Sequence, residues 1–70
     1  MKATIVYLNN SHEVITARNA KSLSNKLYKI RIKVSEIDLL FMSMTKGYTQ
    51  VESCENRKTF FKSCRINIEA

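Results

Sequence analysis

Two short stretches near the start of the chain are rich in residues that favour extended backbone. Residues 3–8 include isoleucine, valine and Tyr7, and residues 13–18 include valine, isoleucine and threonine. Residues 9–12, Asn-Asn-Ser-His, lie between them and are typical of a turn, because asparagine tolerates a positive φ and asparagine and serine bond to their own backbone. The pattern predicts two strands joined as an N-terminal hairpin.

The hydrophobic spacing then changes to that of a helix. Apolar residues recur at i, i+4, i+7 and i+11, at Leu23, Leu27, Ile30 and Val34. With about 100° of rotation per residue they fall within about 60° of arc, which is one helical stripe. Asn19 or Ser22 can cap the start, so we expect a helix over residues 20–31. Residues 30–34 also alternate as a strand would, which leaves the end of the helix open.

Three further strands are predicted after the helix. Residues 37–44 are apolar on both alternating faces, which is typical of a central strand covered by another layer. The only glycine, Gly47, suits a tight turn. Residues 48–54 and 59–66 are predicted strands joined near Asn56. The expected architecture is α+β, with element order β-β-α-β-β-β, an antiparallel sheet of about five strands and one helix packed on one face.

Composition agrees with a single small domain spanning residues 1–70. A chain of 70 residues buries only about 60% of the surface that its unfolded form exposes, which is too little for a two-domain catalytic cleft. Hydrophobic residues make up 44% and charged residues 26%. These fractions are close to ordinary globular usage and argue against intrinsic disorder.

The expected compartment follows from short apolar runs and from two cysteines. Residues 3–8 are too few for the core of a signal peptide, and residues 39–42 are far short of the ~20 that a membrane span needs. We therefore expect a cytoplasmic protein without a membrane partner. In that compartment Cys54 and Cys64 are expected to be buried free thiols. A hairpin centred on residues 56–57 would hold them too far apart to bridge or to share a metal.

Candidate catalytic groups are few. His12 is the only histidine, so neither a confident nucleophile–histidine set nor a four-ligand zinc site can be assembled. One glycine cannot form a loop that cradles phosphate. Glu36 and Asp38 would share a face of a strand, and we interpret them as solvated edge charges. We expect no enzyme activity, no metal and no cofactor. A metal-free ribonuclease toxin that uses lysine, arginine and tyrosine is an alternative that stays open.

Basic charge is the most informative feature of the sequence. Twelve Lys or Arg against six Asp or Glu give a net charge of +6. Residues 18–33 contain six bases and no acid, and residues 57–65 contain four more bases without an acid, whereas surface helices usually mix signs. The runs predict a negatively charged partner. The candidate contact residues are Lys21, Lys26, Lys29, Arg31, Lys33, Arg57 and Lys58.

On the predicted helix, Lys26, Lys29 and Lys33 form a ridge beside the apolar stripe. Ammonium groups about one turn apart suit a nucleic-acid backbone, where each phosphate contact releases counterions. They suit an acidic protein groove equally well, or a solvated face that keeps the protein soluble. No recognition-helix turn and no aromatic pair typical of RNA-binding sheets accompanies them. Phe61 or Tyr48 could serve as an exposed stacking residue.

Several short sequence features match a known family. They are Met1-Lys2-Ala3, Ile15-Thr16-Ala17, Ser22-Leu23-Ser24, a lysine-rich helix, Lys46-Gly47, Arg57-Lys58, Phe60, Phe61 and Cys64. In this order the chain resembles a small phage-encoded anti-CRISPR of the type I-F class, the ninth family described. It departs from the family pattern where the last turn lacks a glycine and where phenylalanine replaces a tryptophan.

The resemblance implies a sheet-plus-helix protein that binds the backbone subunits of a crRNA-guided surveillance complex. Bound there, it would obstruct pairing of target DNA with the guide. The resemblance also implies non-specific contacts to duplex DNA from Lys26, Lys29, Arg31 and Lys33. A DNA-binding groove on the target would itself be basic, so the protein contact would have to use the sheet or an acidic patch.

Two other interpretations stay open. The acid-free basic helix also suits a small phage protein that binds nucleic acid on its own. A sheet of this size has edge strands that could pair between two copies, so a homodimer is compatible with the sequence.

Overall fold

The chain forms a four-stranded sheet and two helices within residues 1–56 and 63–70, which the computed structural model describes. The elements are β1 (Lys2–Val6), β2 (His12–Thr16), α1 (Ala20–Lys29), α2 (Glu36–Met44), β3 (Thr49–Val51) and β4 (Cys64–Glu69). The α+β class is therefore confirmed. The predicted five strands and single helix are wrong in detail, because the segment expected to be the third strand is the second helix.

The sheet is antiparallel throughout, with strand order β2-β1-β4-β3. The predicted N-terminal hairpin is present, and Ala3 lies opposite Ile15. Its turn forms as the sequence indicates, since Asn9 Oδ1 accepts the Ser11 N–H at 3.0 Å and Asn10 takes a φ of 67°. β1 is central and pairs on its other side with β4, so the N- and C-terminal strands lie side by side.

Asn19 starts α1, and a Schellman motif ends it. The Asn19 side chain accepts the Ser22 N–H at 2.8 Å, which satisfies one of the free donors of the first turn. At the other end the N–H groups of Arg31 and Ile32 bond to the carbonyls of residues 28 and 27. The helix therefore stops at Lys29, two residues before the predicted end.

Residues 32–34 are extended, which settles the ambiguity of the 30–34 segment. Ile32 and Val34 are buried and Lys33 between them is exposed, as in a strand. Ile32 forms an isolated antiparallel bridge with Cys54. Val34 thus reaches the core from an extended segment rather than from the helix. Its carbonyl accepts a hydrogen bond from the buried Ser24 hydroxyl at 2.7 Å.

α2 replaces the predicted strand over residues 37–44. Ser35 caps it by accepting the Asp38 N–H at 3.2 Å, and two acids lie in its first turn, where they complement the helix dipole. Leucine, methionine and phenylalanine dominate the segment, and leucine and methionine are good helix formers. A segment that is apolar at nearly every position fits period 2 and period 3.6 equally, so the hydrophobic pattern alone misassigned it.

The core lies between the helices and one face of the sheet. Alternate residues of the two central strands are buried there, among them Ala3, Ile5, Ile66 and Ile68. The helices contribute Leu23, Leu27 and Leu39, which are fully buried. The opposite sheet face has no helix of the described chain packed on it. Its residues are mostly polar: Lys2, Thr4, His12, Thr16, Gln50, Arg65, Asn67 and Glu69.

The two cysteines form a disulfide, so the expectation of free thiols held too far apart to bridge is wrong. β3 ends at Val51, which pairs with Cys64. The chain then leaves the sheet toward the end of α1, where Cys54 pairs with Ile32. This path brings the two cysteine Cα atoms to 6.4 Å, within the range of a disulfide. The prediction failed because it continued the hairpin ladder through residue 54.

Candidate phosphate-binding surface

The outer face of α1 carries basic side chains and no acid. Burial of Leu23 and Leu27 fixes the rotation of the helix, so Lys21, Lys26 and Lys29 are all exposed. The first turn has no acid, and Lys26 and Lys29 lie near the last turn. The structure therefore places three of the predicted contact residues on one exposed helix surface.

Lys26 lies at the end of β2, where other cationic groups meet. Its ammonium donates to the Thr16 carbonyl at 2.6 Å. A shallow groove of about 500 Å³ beside it is also lined by Arg18, Lys2 and Met1. The N-terminal ammonium donates to the Ala17 carbonyl at 2.7 Å. In this groove Lys2 forms an exposed ion pair with Glu69, at 3.5 Å, whereas Lys26 and Arg18 form none within the described chain.

Lys29 and Arg31 line a second groove, of about 640 Å³. Its other walls come from Tyr7, Glu13 and Asn56, with Ile30 and Glu55. Tyr7 donates to Glu13 Oε1 at 3.0 Å across the first hairpin. Burial, followed by the hydrogen bond and the negative charge of Glu13, raises the pKa of Tyr7 to about 12. The phenol is therefore protonated at neutral pH, where it can donate a hydrogen bond but cannot act as a base.

Arg31 stands in a conformation that arginine rarely adopts. Its φ is 62°, at the helix C′ position where glycine is the usual residue. A side chain in the left-handed region costs about 1–2 kcal/mol. The Arg31 side chain is exposed, and its backbone is held by hydrogen bonds from its N–H to the Tyr28 carbonyl and from the Glu55 N–H to its own carbonyl. An arginine in this conformation at an exposed position supports a functional hypothesis that the sequence pattern does not reveal.

The predicted ridge of Lys26, Lys29 and Lys33 is not continuous. Lys26 and Lys29 are on α1, but Lys33 follows the helix, in the extended segment whose backbone N–H donates to the Ser53 carbonyl at 2.9 Å. The helical angles used for the prediction do not apply beyond Lys29. The structure thus places Lys26 in one groove, Lys29 and Arg31 in the other, and the exposed Lys21 and Lys33 in neither. Arg57 and Lys58, also predicted to contact the partner, lie outside the described residues.

The basic side chains of this region form no ion pairs in the described part of the chain, although Glu13 and Glu55 line the same groove as Lys29 and Arg31. The basic side chains in question are Lys21, Lys26, Lys29, Arg31 and Lys33. We call these five the basic surface. Unpaired exposed cations at this density attract anions, and each phosphate they neutralise releases counterions.

The open sheet face carries one aromatic contact that the sequence indicated only as an alternative. Tyr48 is half exposed, and the Arg65 guanidinium lies 5.9 Å from the centroid of its ring. This pair presents a flat apolar surface edged by charge. Phe61, the other aromatic candidate, lies outside the described residues.

No metal-binding cluster of three or more His, Cys, Asp or Glu side chains occurs in residues 1–56 and 63–70. Neither helix in these ranges has the length and apolar character that crossing a bilayer requires. Comparison with family models, curated proteins and solved structures gives no match.

Proposed function

We propose that the protein is a small, non-enzymatic interaction protein that binds a crRNA-guided surveillance complex and obstructs its binding to target DNA. In this proposal the basic surface contacts the phosphates of the nucleic acid in or near the complex. The observation that carries the proposal is the set of five exposed basic side chains without ion-pair partners in the described chain.

Arg31 gives this assignment its strongest support. A glycine at φ 62° would relieve the backbone strain, yet the chain has an exposed arginine beside Lys29. Arginine binds phosphate with two parallel hydrogen bonds, which a glycine cannot replace. The strain is thus explained if the guanidinium is needed for binding.

The contact with the protein subunits of the complex is assigned to the open sheet face. A nucleic-acid-binding groove on the complex would be basic and would repel the basic surface. The open face carries Lys2 and Arg65 against Glu69, so it is much closer to neutral. Tyr48 on this face offers the kind of amphipathic aromatic that is enriched in protein interfaces.

Co-migration with a purified type I-F surveillance complex tests the proposal. We expect the protein to elute with the complex in size-exclusion chromatography when it is mixed in slight excess. A Tyr48→Ala/Arg65→Ala variant should elute separately, whereas Leu8→Ser, which changes an exposed apolar residue in the turn between β1 and β2, should still elute with the complex. Separate elution of the unmodified protein would contradict the proposal.

The stand-alone nucleic-acid-binding function is the second candidate. The same unpaired cations favour it, because non-specific binding to duplex DNA needs only phosphate contacts. A shift of labelled duplex by the protein alone, together with no co-migration with the complex, would support this function over the first. The ribonuclease alternative predicts loss of cellular RNA integrity on expression, and the two binding functions predict intact RNA.

A further inference from the structure

The outward face of α2 carries a stripe of large apolar side chains. Ile37, Leu40, Phe41 and Met44 have exposed fractions of 73, 47, 73 and 84%. Their spacing is i, i+3, i+4 and i+7, which on a helix covers about 100° of arc opposite the buried Leu39. We call these four the α2 stripe. Contiguous apolar residues at this spacing normally meet a core or a partner helix.

The charges around the α2 stripe are arranged in a self-complementary way. Glu36 and Asp38 lie at the N-terminal end of α2, and the helix contains no base. Lys46 follows the other end and is exposed. Two copies of a chain with a net charge of +6 repel each other over most of their surface. At α2 the acids of one copy can instead lie near the lysine of the other.

We propose that two copies of the chain pair through the α2 stripe, with the two helices antiparallel about a twofold axis between Leu40 and Phe41. This register places Ile37 of one copy against Met44 of the other. It also brings Glu36 close to Lys46 at both ends of the contact, because a twofold interface repeats each pair. The opposed helix dipoles favour the same arrangement.

The size of the α2 stripe determines how strongly two copies are expected to associate. A helix of nine residues is about 13 Å long, so the contact is smaller than the roughly 800 Å² per partner of a standard interface. The dimer is therefore expected to dissociate on dilution rather than to be permanent. It would present two basic surfaces, which raises the apparent affinity for an extended polyanion. The inference is independent of the proposed function, since the basic surface is not part of the contact.

Sedimentation velocity over a range of protein concentrations tests the dimer. We expect the mass to rise from the 8.1 kDa of the monomer toward twice that value. Phe41→Ser should weaken association at least about tenfold, and Val14→Ser, which removes an exposed apolar side chain from the sheet, should leave it unchanged. Thermal melts of both variants check that they fold.

A charge exchange tests the register. Glu36→Lys and Lys46→Glu should each weaken association by about fivefold, because each places like charges together at both ends of the contact. The double variant Glu36→Lys/Lys46→Glu restores opposite charges and should recover the original dissociation constant. Glu52→Lys, an exposed acid elsewhere, should not behave like Glu36→Lys.

Three results would overturn the inference. The first is a monomer at every concentration. The second is a dimer that Phe41→Ser does not weaken, which would assign the contact to an edge strand. The third is a monomeric protein whose Phe41→Ser variant loses binding to the surveillance complex, which would assign the α2 stripe to that partner.

Discussion

Arg31 is a residue at which one substitution should have opposite effects on stability and on binding. Arg31→Gly removes both the strained conformation and the guanidinium. We expect its free energy of unfolding to be unchanged or raised by up to about 1 kcal/mol. We also expect weaker binding to a phosphate-bearing partner. Urea denaturation and a duplex gel shift measure the two effects on the same preparation.

Asn10→Gly is the matched control for Arg31→Gly. Asn10 has a φ of 67°, a conformation that glycine adopts readily, so this substitution makes the same change in backbone type without removing a charge. This variant should keep full binding. If Arg31→Gly binds as well as Asn10→Gly, the guanidinium has no part in binding and the strain at Arg31 needs another explanation.

The raised pKa of Tyr7 leads us to expect a loss of stability in alkaline solution. Burial and the neighbouring Glu13 raise the pKa of Tyr7 to about 12 in the folded protein, from 10.0. The folded state therefore holds the proton more tightly, and this contribution is fully present below pH 10 and is lost as the pH rises toward 12. Two pKa units correspond to roughly 2–3 kcal/mol.

Urea denaturation at pH 9 and near pH 12 measures this effect of Tyr7. Tyr7→Phe cannot ionise, so its free energy of unfolding should fall less between these two pH values than that of the unmodified protein. If the free energy of unfolding falls by the same amount in the two proteins, the phenol does not titrate in a buried site.

Among the elements, the link between β3 and β4 makes the most direct prediction about stability. The Cys54–Cys64 disulfide closes a segment with a sequence separation of 10. Chain-entropy arguments give about 3 kcal/mol for a loop of this length. Reduction should lower the free energy of unfolding by roughly that amount, as measured by urea denaturation with and without dithiothreitol.

A Cys54→Ala/Cys64→Ala variant is the control for this measurement, because its stability should not respond to reductant. A protein equally stable with and without reductant would contradict the pairing. The result also bears on location, since thiols are kept reduced in the cytoplasm and disulfides persist in oxidising compartments. Cytoplasmic localisation therefore stays a prediction.

The elements differ in how well the sequence predicts them. The first hairpin and the start of α1 follow from local signals, since the Asn9 turn and the Asn19 cap act through neighbouring residues. α2 does not, because its run of apolar residues fits two periods. The Ser35 cap and the i, i+3, i+4, i+7 spacing were present in the sequence and would have favoured the helix.

The disulfide and the grooves depend on contacts between distant segments. Cys54 approaches Cys64 only because the chain leaves the sheet to pair with Ile32. Tyr7 joins Lys29 and Arg31 in one groove through the packing of the hairpin against the end of α1. Local sequence signals do not encode such long-range contacts. The candidate basic residues could be named from composition, but their division between two grooves could not.

At the scale of the whole molecule, charge and apolar surface are separated. The basic surface lies on α1 and the segment after it, and the α2 stripe lies on the second helix with two acids at its start. Because the two surfaces share no residue, variants of one should leave the other intact. This separation allows the proposed function and the proposed dimer to be tested independently.

The most direct test of the central claim is a gel shift of labelled target duplex by a purified type I-F surveillance complex, titrated with this protein. We expect the unmodified protein to abolish the band of the complex bound to the duplex. The Lys26→Gln/Lys29→Gln variant should require at least about a tenfold higher concentration for the same inhibition, since each lost phosphate contact weakens the interaction. Asn25→Gln, which changes an exposed uncharged residue of the same helix, should inhibit normally. A complex that shifts the duplex fully at every protein concentration would contradict the account.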